Sequence, residues 1–314
     1  MTSSIASLGD ILSKVSSKTT DTLAKNPPVV HVEDPDGFTS ADIRSAQATT
    51  WSRLDDAVVV VADLKGSTKL STGKHMASTA AIYEAATGNA TRILAEFGAD
   101  FIAIQGDGAF GVFWGNRALE RAMCAGITIK TFSQKTLVPK LRAKWPDTGL
   151  PETGFKVGIA AGRVMVKNLG LGLDAGQHEP IWAGNPVNYA TKAAQEADAD
   201  ELIVTGGVWI RIEDNDYITL SCPCGSGPSP TIWEERKLAK LAHDEPESAG
   251  HMLSSAWCDE HGPAFCASIL AGATSREEER IEAARAEKRR RWDAVAVQRR
   301  ALTRARKRGL ANVR

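Results

Sequence analysis

No stretch of this 314-residue chain approaches the run of roughly 18 apolar residues that crosses a bilayer. Residues 1–25 also lack the continuous apolar centre of a secretory signal, so a cytoplasmic location is the default expectation. Excess charge is lacking too. The 38 Lys and Arg stand against 38 Asp and Glu, which argues against nucleic acid or an acidic surface as the business of the whole chain. The balance is uneven along the sequence: from Arg276 to Arg314 fourteen Lys and Arg face six Asp and Glu. Basicity is therefore a property of the tail, and the remainder is acidic by the same margin. Cysteine is scarce. Five thiols, an odd number, do not make a disulfide framework in a chain this long, which leaves reduced thiols or a metal site.

What is present is a series of short apolar segments. Residues 1–50 form a polar arm whose patch Ile5, Leu8, Ile11, Leu12 and Val15 predicts a short helix, a surface lid, stopped by Pro27-Pro28. Ala57-Val-Val-Val-Val-Ala-Asp63 is a β-branched run of the kind buried on both faces, and it ends in an acid. The loop Leu64-Lys-Gly-Ser-Thr68 leads to a helix expected from about His75 to Phe97, with Gly98 as C-terminal cap. Phe101 to Trp114 reads as a hairpin pinched at Gly106-Asp107-Gly108. A second helix is expected from Asn116, as N-cap, to about Gln134, followed by a polar loop through Trp145-Pro146 to Thr153.

Phe155–Gly162 and Arg163–Lys167 read as a second strand pair, and Leu169–His178 as a flexible connection. Asn185 before Pro186 starts a helix. Its buried stripe of Val187, Ala190, Ala194 and Ala197 places Asn188 and Lys192 four apart on another face. Glu201–Thr205 is a short strand and Gly206–Ile212 a short helix. This order predicts an α+β fold, a mainly antiparallel sheet with helices packed on it.

Two of these strands carry the chemistry. Asp63 and Asp107 end or interrupt apolar strands that should lie side by side, and two like charges so placed need a cation. Mg²⁺ or Mn²⁺ suits oxygen ligands and commonly sits on one or two carboxylates plus substrate phosphates. The amides of Leu64, Lys65, Gly66, Ser67 and Thr68 could cradle those phosphates. Together these features ask for a nucleoside triphosphate and two divalent cations. The plainer alternative is that Asp63 caps a turn and Asp107 only makes a hairpin.

Val60-Val-Ala-Asp-Leu-Lys-Gly-Ser-Thr68, Gln105-Gly-Asp-Gly108 and Gly184-Asn-Pro-Val-Asn-Tyr-Ala-Thr-Lys192 resemble, in order and spacing, three signature stretches of class III nucleotidyl cyclases. The resemblance runs from roughly Ala57 to Leu220 and implies a ferredoxin-like catalytic domain; with the boundary that the arm's turn residues set near Trp51, the domain is expected over 51–220, flanked by the 1–50 arm and a 221–314 extension. It implies active sites between the subunits of a head-to-tail homodimer. Asp63, Asp107 and the Leu64 carbonyl would hold two metal ions, and Asn188 of the other subunit would orient the ribose. The family's transition-state arginine is replaced by Lys192, which keeps the charge but loses the bidentate fork. The implied reaction is attack of the ribose 3′-hydroxyl on the α-phosphate, giving a 3′,5′-cyclic nucleotide and pyrophosphate.

The pattern departs where purine-specific members read the base. Ala103 and Ile181 stand at those two positions, and neither can hydrogen-bond a purine edge. This combination resembles the bacterial Pycsar anti-phage cyclases, which make cyclic pyrimidine nucleotides, and UTP is favoured as substrate. A cytidylate cyclase, an adenylate cyclase reading its base through backbone groups, and a non-catalytic nucleotide-binding regulatory module are the alternatives.

Beyond the cyclase motifs, Cys222, Cys224, Cys258, His261 and Cys266 offer more than the four soft ligands of a structural zinc, at a spacing unlike common fingers. Cys124 reads as a core residue. Arg276–Arg308 reads as a charged helix whose clusters Lys288–Arg291 and Arg304–Arg308 could touch nucleic acid or phage material, or lie on the acidic remainder.

Overall fold

The computed structural model describes residues 7–72, 75–146, 151–170, 178–222, 224 and 232–276. In chain order its elements are α1 (Leu8–Leu23), β1 (Val29–His31), β2 (Trp51–Leu64), α2 (Ser67–Ser71), α3 (Met76–Tyr83) and α4 (Asn89–Glu96). There follow β3 (Phe101–Gln105), β4 (Gly108–Trp114), α5 (Ala118–Phe132), α6 (Val138–Lys144), β5 (Phe155–Gly170), β6 (His178–Ala183) and α7 (Asn185–Glu196). The chain continues through β7 (Leu202–Val204), α8 (Gly206–Ile212), α9 (Asp216–Thr219), β8 (Trp233–Lys237), β9 (Ala249–Leu253) and α10 (Gly262–Ala271). The described residues fall into two compact units, one within 1–55 and 163–184, the other within 56–162 and 185–314.

The larger unit holds strands in the order β3-β4-β2-β5-β7-β9-β8. β5 and β7 are parallel, whereas the β2–β4, β3–β4, β7–β9 and β8–β9 pairs are antiparallel. Val58, Val59, Val60 and Ala62 are fully buried, as a β-branched run covered on both faces requires. The core joins Val58 and Val60 to Leu94, Phe113, Met123 and Ile159. Ala122 to Ile127 of α5 are buried without a break, so that part of the helix runs apolar all round. β8 and β9 come from the segment expected as a C-terminal extension, and they add to the sheet beside β7.

In the smaller unit β1 lies parallel to the start of β2, and β6 lies antiparallel to the second half of β5. The Lys167 ammonium reaches the Ala48 carbonyl, and the Asn168 N–H donates to the Arg44 carbonyl at 2.9 Å. α1 forms where the amphipathic patch predicts it, capped by the Ser7 hydroxyl, yet none of its residues is buried.

Three expectations are corrected. Phe155–Gly162 and Arg163–Lys167 are not a strand pair but one continuous strand, β5. A reversal at Gly162 would strip residues 165–170 of the backbone partner that β6 supplies. The helix expected from His75 to Phe97 is broken into α3 and α4 by a π turn at Glu84–Gly88. The second helix starts at Ala118, after Arg117 in a left-handed conformation (φ 54°) rather than on an Asn116 cap. Through another π turn, Ser133–Leu137, it passes Gln134 and ends at Lys144, because Leu137, Val138 and Leu141 continue its buried face. No helix among the described residues is long and apolar enough to cross a membrane.

Candidate active site

Asp63 is the penultimate residue of β2. The register pairs Ala62 with Ala109 and Gln105 with Gly108, which brings Asp63 level with the Gly106-Asp107-Gly108 turn. A Cβ placed on Gly108 would stand 2.8 Å from the Ala62 carbonyl oxygen and 3.7 Å from Asp63 Cα. Glycine thus lets the two acid-bearing segments close without a side chain between them. The turn is braced from below. Thr87, buried in the π turn between α3 and α4, donates its hydroxyl to the Asp107 carbonyl at 2.8 Å, an example of a π turn serving a site.

The Lys156 Nζ lies 2.5 Å from Asp63 Oδ2, on a side chain only 16% exposed. The Asp63 and Asp107 oxygens are the hard donors that Mg²⁺ or Mn²⁺ takes. Leu64 is 2% exposed with its side chain in the core, so only its backbone carbonyl can serve as a ligand. These residues fit two divalent cations.

The loop that follows is tied down by its lysine. The Lys65 N–H donates to the Gly154 carbonyl at 3.0 Å. Its ammonium pairs with Asp198 and, at 2.8 Å, with Glu152, and the two hydrogen-bonded carboxylates raise its pKa. Lys65 therefore anchors the loop in this conformation, while Gly66 (φ 74°) caps α2 and Ser67 and Thr68 begin it.

α7 packs on β5 through a contact that excludes any side chain: a Cβ on Gly158 would meet the Ala190 carbonyl oxygen at 2.1 Å. Tyr189, Ala190, Ala193 and Ala194 are buried in consequence, and Asn188 is exposed. A cleft of about 140 Å³ beside Asp63 is lined by Gln105, Gly108, Thr191, Ala194 and Gln195, and neither Asn188 nor Lys192 lines it. Ala103 is half-buried on β3 opposite Phe110, in the larger unit, and Ile181 is 44% exposed on β6, in the smaller one.

No family model matches the chain. It is 49% identical over 261 residues to a uridylate cyclase of Propioniciclava tarda, covering 83% of each chain. It is 53% identical over 226 residues to a uridylate cyclase of Micromonospora echinofusca, covering 72% of this chain and 73% of that one. The chain belongs to the uridylate cyclase family. Among solved structures, the adenylyl cyclase CyaB from P. aeruginosa matches 66% of this chain and 96% of its own, with TM-score 0.50 and 16% identity. The architecture is that of a class III cyclase catalytic domain, as the three motifs imply.

Within this family's fold, the residues beside Asp63 and the turn that lie outside the three motifs are Lys156, Thr87 and Gln195. Lys156 had a signal, a cation within the otherwise apolar run Phe155–Ala161. Thr87 had none, since nothing in Glu84–Gly88 announces a π turn. Of the five candidate zinc ligands, Cys222, Cys224, Cys258 and His261 converge within 4.8 Å. Cys266 does not join them: it lies inside α10 against the buried Cys124, whose Sγ is 4.0 Å from the Cys266 carbonyl and whose pKa is raised by the Cys266 side chain and by burial. Arg276 is buried, its N–H donating to Asp216 at 2.8 Å and its guanidinium lying 4.5 Å from the Phe265 ring centre. The basic clusters 288–291 and 304–308 lie outside the described residues.

Proposed function

We propose that this protein is itself a uridylate cyclase, converting UTP to 3′,5′-cyclic UMP and pyrophosphate as a head-to-tail homodimer. The observation that carries the reading is Asp63 set against the Gly106–Gly108 turn, in a chain about half identical to two proteins named for that reaction. Two divalent cations, Mg²⁺ or Mn²⁺, held by Asp63, Asp107 and the Leu64 carbonyl, would supply charge neutralisation at the α-phosphate and at the leaving pyrophosphate.

The chain's own groups do the rest. Asp63, paired with Lys156 in the free chain, would hold one of these cations. The Leu64–Thr68 loop, fixed at Lys65, lies along the triphosphate. A cleft of about 140 Å³ is too small for a nucleotide, since ligand pockets run to roughly 300–1,000 Å³, which supports a site completed by a second copy. That copy offers the outward face of α7: Asn188 holds the ribose so that its 3′-oxygen faces the α-phosphorus, and the Lys192 ammonium balances charge on the phosphoryl oxygens in the transition state. By the resemblance, Ala103 and Ile181 stand where purine-specific members read the base, and neither side chain can hydrogen-bond a purine edge. By the same resemblance, cyclic UMP acts as a second messenger in bacterial anti-phage defence.

Incubation with equimolar ATP, GTP, CTP and UTP plus Mn²⁺, with products identified by mass, tests the substrate. Cyclic UMP as the main product supports the reading. Cyclic CMP or cyclic AMP overturns the assignment of the base, and no cyclic product overturns the enzyme.

A further inference from the structure

Away from the cleft, the side chains of Cys222, Cys224, Cys258 and His261 converge from two distant parts of the sequence, their ligand atoms all within 4.8 Å of one another. We propose that they form a structural Zn²⁺ site of Cys₃His type, separate from the catalytic cations, which pins the loop before α10 to the end of α9. His261 Nδ1 lies 3.2 Å from Cys222 Sγ, 3.0 Å from Cys224 Sγ and 3.9 Å from Cys258 Sγ. The Cys224 and Cys258 sulfurs are 3.8 Å apart. A tetrahedral zinc, with bonds of about 2.3 Å to sulfur and about 2.0–2.1 Å to nitrogen, has S···S edges of about 3.8 Å and S···N edges of about 3.5 Å. These four separations lie within about 0.5 Å of the tetrahedral edges, and all the ligand atoms lie within 4.8 Å of one another. A disulfide needs sulfurs about 2.0 Å apart and would leave the histidine without a purpose.

The donor set selects the metal. Three thiolates and an imidazole suit Zn²⁺, whereas Mg²⁺ and Mn²⁺ take oxygen. Glu260, which accepts from Cys224 Sγ at 3.1 Å, would lie beside the bound ion.

The scaffold holds these ligands independently of any metal. Cys222 lies three residues after the end of α9 at Thr219, and His261 is the residue before α10. The Trp257 N–H and Nε1–H donate to the Thr131 and Thr128 hydroxyls of α5, each at 3.0 Å, and Lys135 donates to the Trp257 carbonyl at 2.6 Å and to Asp259 at 2.7 Å. The Cys258 carbonyl accepts from Gly262 N–H at 2.8 Å, fixing the turn that carries His261. The chain between Cys224 and Cys258 contains β8 and β9, the strands added beside β7. Closing that long loop is where a metal clip gains most, because it limits the unfolded chain.

The test is metal analysis of the full chain purified without added metal, with Co²⁺ substitution of the unmutated protein as a second measurement. About one zinc per chain is expected in the parent, in Cys266→Ser and in Asp63→Asn, with loss in Cys258→Ser. Cobalt should give thiolate-to-metal charge transfer and tetrahedral d–d bands. Removal of zinc should lower Tm, and Zn²⁺ but not Mg²⁺ should restore it. No zinc and no cobalt spectrum in the parent would overturn the site, as would a Cys224–Cys258 disulfide found by mass spectrometry. Because the decisive readings are made on the parent, misfolding of Cys258→Ser leaves the result intact. Zinc retained in Asp63→Asn separates this site from the cyclase reading.

Discussion

Lys156 holds Asp63 by an ion pair of 2.5 Å, so the acid expected to take a catalytic cation is neutralised by the chain itself. Partly exposed pairs of this kind are worth about 1 kcal/mol or less, small enough for a divalent ion to displace. Lys156→Gln should therefore bind Mn²⁺ up to about fivefold more tightly in calorimetric titration without nucleotide. Weaker binding in the variant would mean that Lys156 positions the carboxylate and does not compete for it.

The outward face of α7 predicts a shared site. Asp63→Asn should lower turnover by about 10²–10³-fold or more through lost charge stabilisation, and Asn188→Ala through lost ribose positioning. Mixing the two inactive variants should restore about a quarter of parental activity, because half the dimers are mixed and each carries one intact site. No recovery after subunit exchange has been shown to occur would place Asn188 and Asp63 in one chain's site or remove Asn188 from it.

Gly158 sets how closely α7 approaches the sheet. A methyl group there would overlap the Ala190 carbonyl oxygen at 2.1 Å and the Ala194 nitrogen at 2.4 Å. Both are helix backbone, which cannot move aside alone. Gly158→Ala should cost about 1–3 kcal/mol by overpacking, read as a lower Tm, and activity should fall with it as Asn188 and Lys192 shift. A variant with unchanged stability would show that α7 is not seated on β5 in this way.

What the sequence disclosed follows from how local each signal is. The run Ala57–Asp63, the Gly106–Gly108 turn and the Pro186 helix start each depend on a few adjacent residues, and the elements that carry the candidate site were legible. β6 was not, because Pro180 and the mixed polarity of His178–Ala183 hide a strand that exists only as the partner of β5. The π turn that aims Thr87 at Asp107 is a geometric offset that no residue type encodes. The candidate zinc ligands were nameable as a set of five, but only the placement of α10 decides which four converge, since it turns Cys266 toward Cys124. Lys156 was visible as a charge, while its partner depended on β5 lying beside β2.

His251, on β9, stacks on the Trp209 ring with centroids 3.8 Å apart and planes 10° from parallel. Burial holds its pKa below the ordinary imidazole value, outweighing the opposing pull of Glu235, the Ala249 backbone and Glu213. The folded chain therefore takes up this proton less readily than the unfolded chain, and protonation favours unfolding. The stabilising contribution is complete above the unfolded value of about 6.5 and is lost as pH falls through it toward the lower folded value. Tm should decline between about pH 7.5 and pH 5.5 on this account, and His251→Phe, which keeps an aromatic ring against Trp209 but cannot titrate, should flatten that part of the curve. A variant whose Tm declines as steeply as the parent's would assign the acid sensitivity to other groups and remove His251 from it.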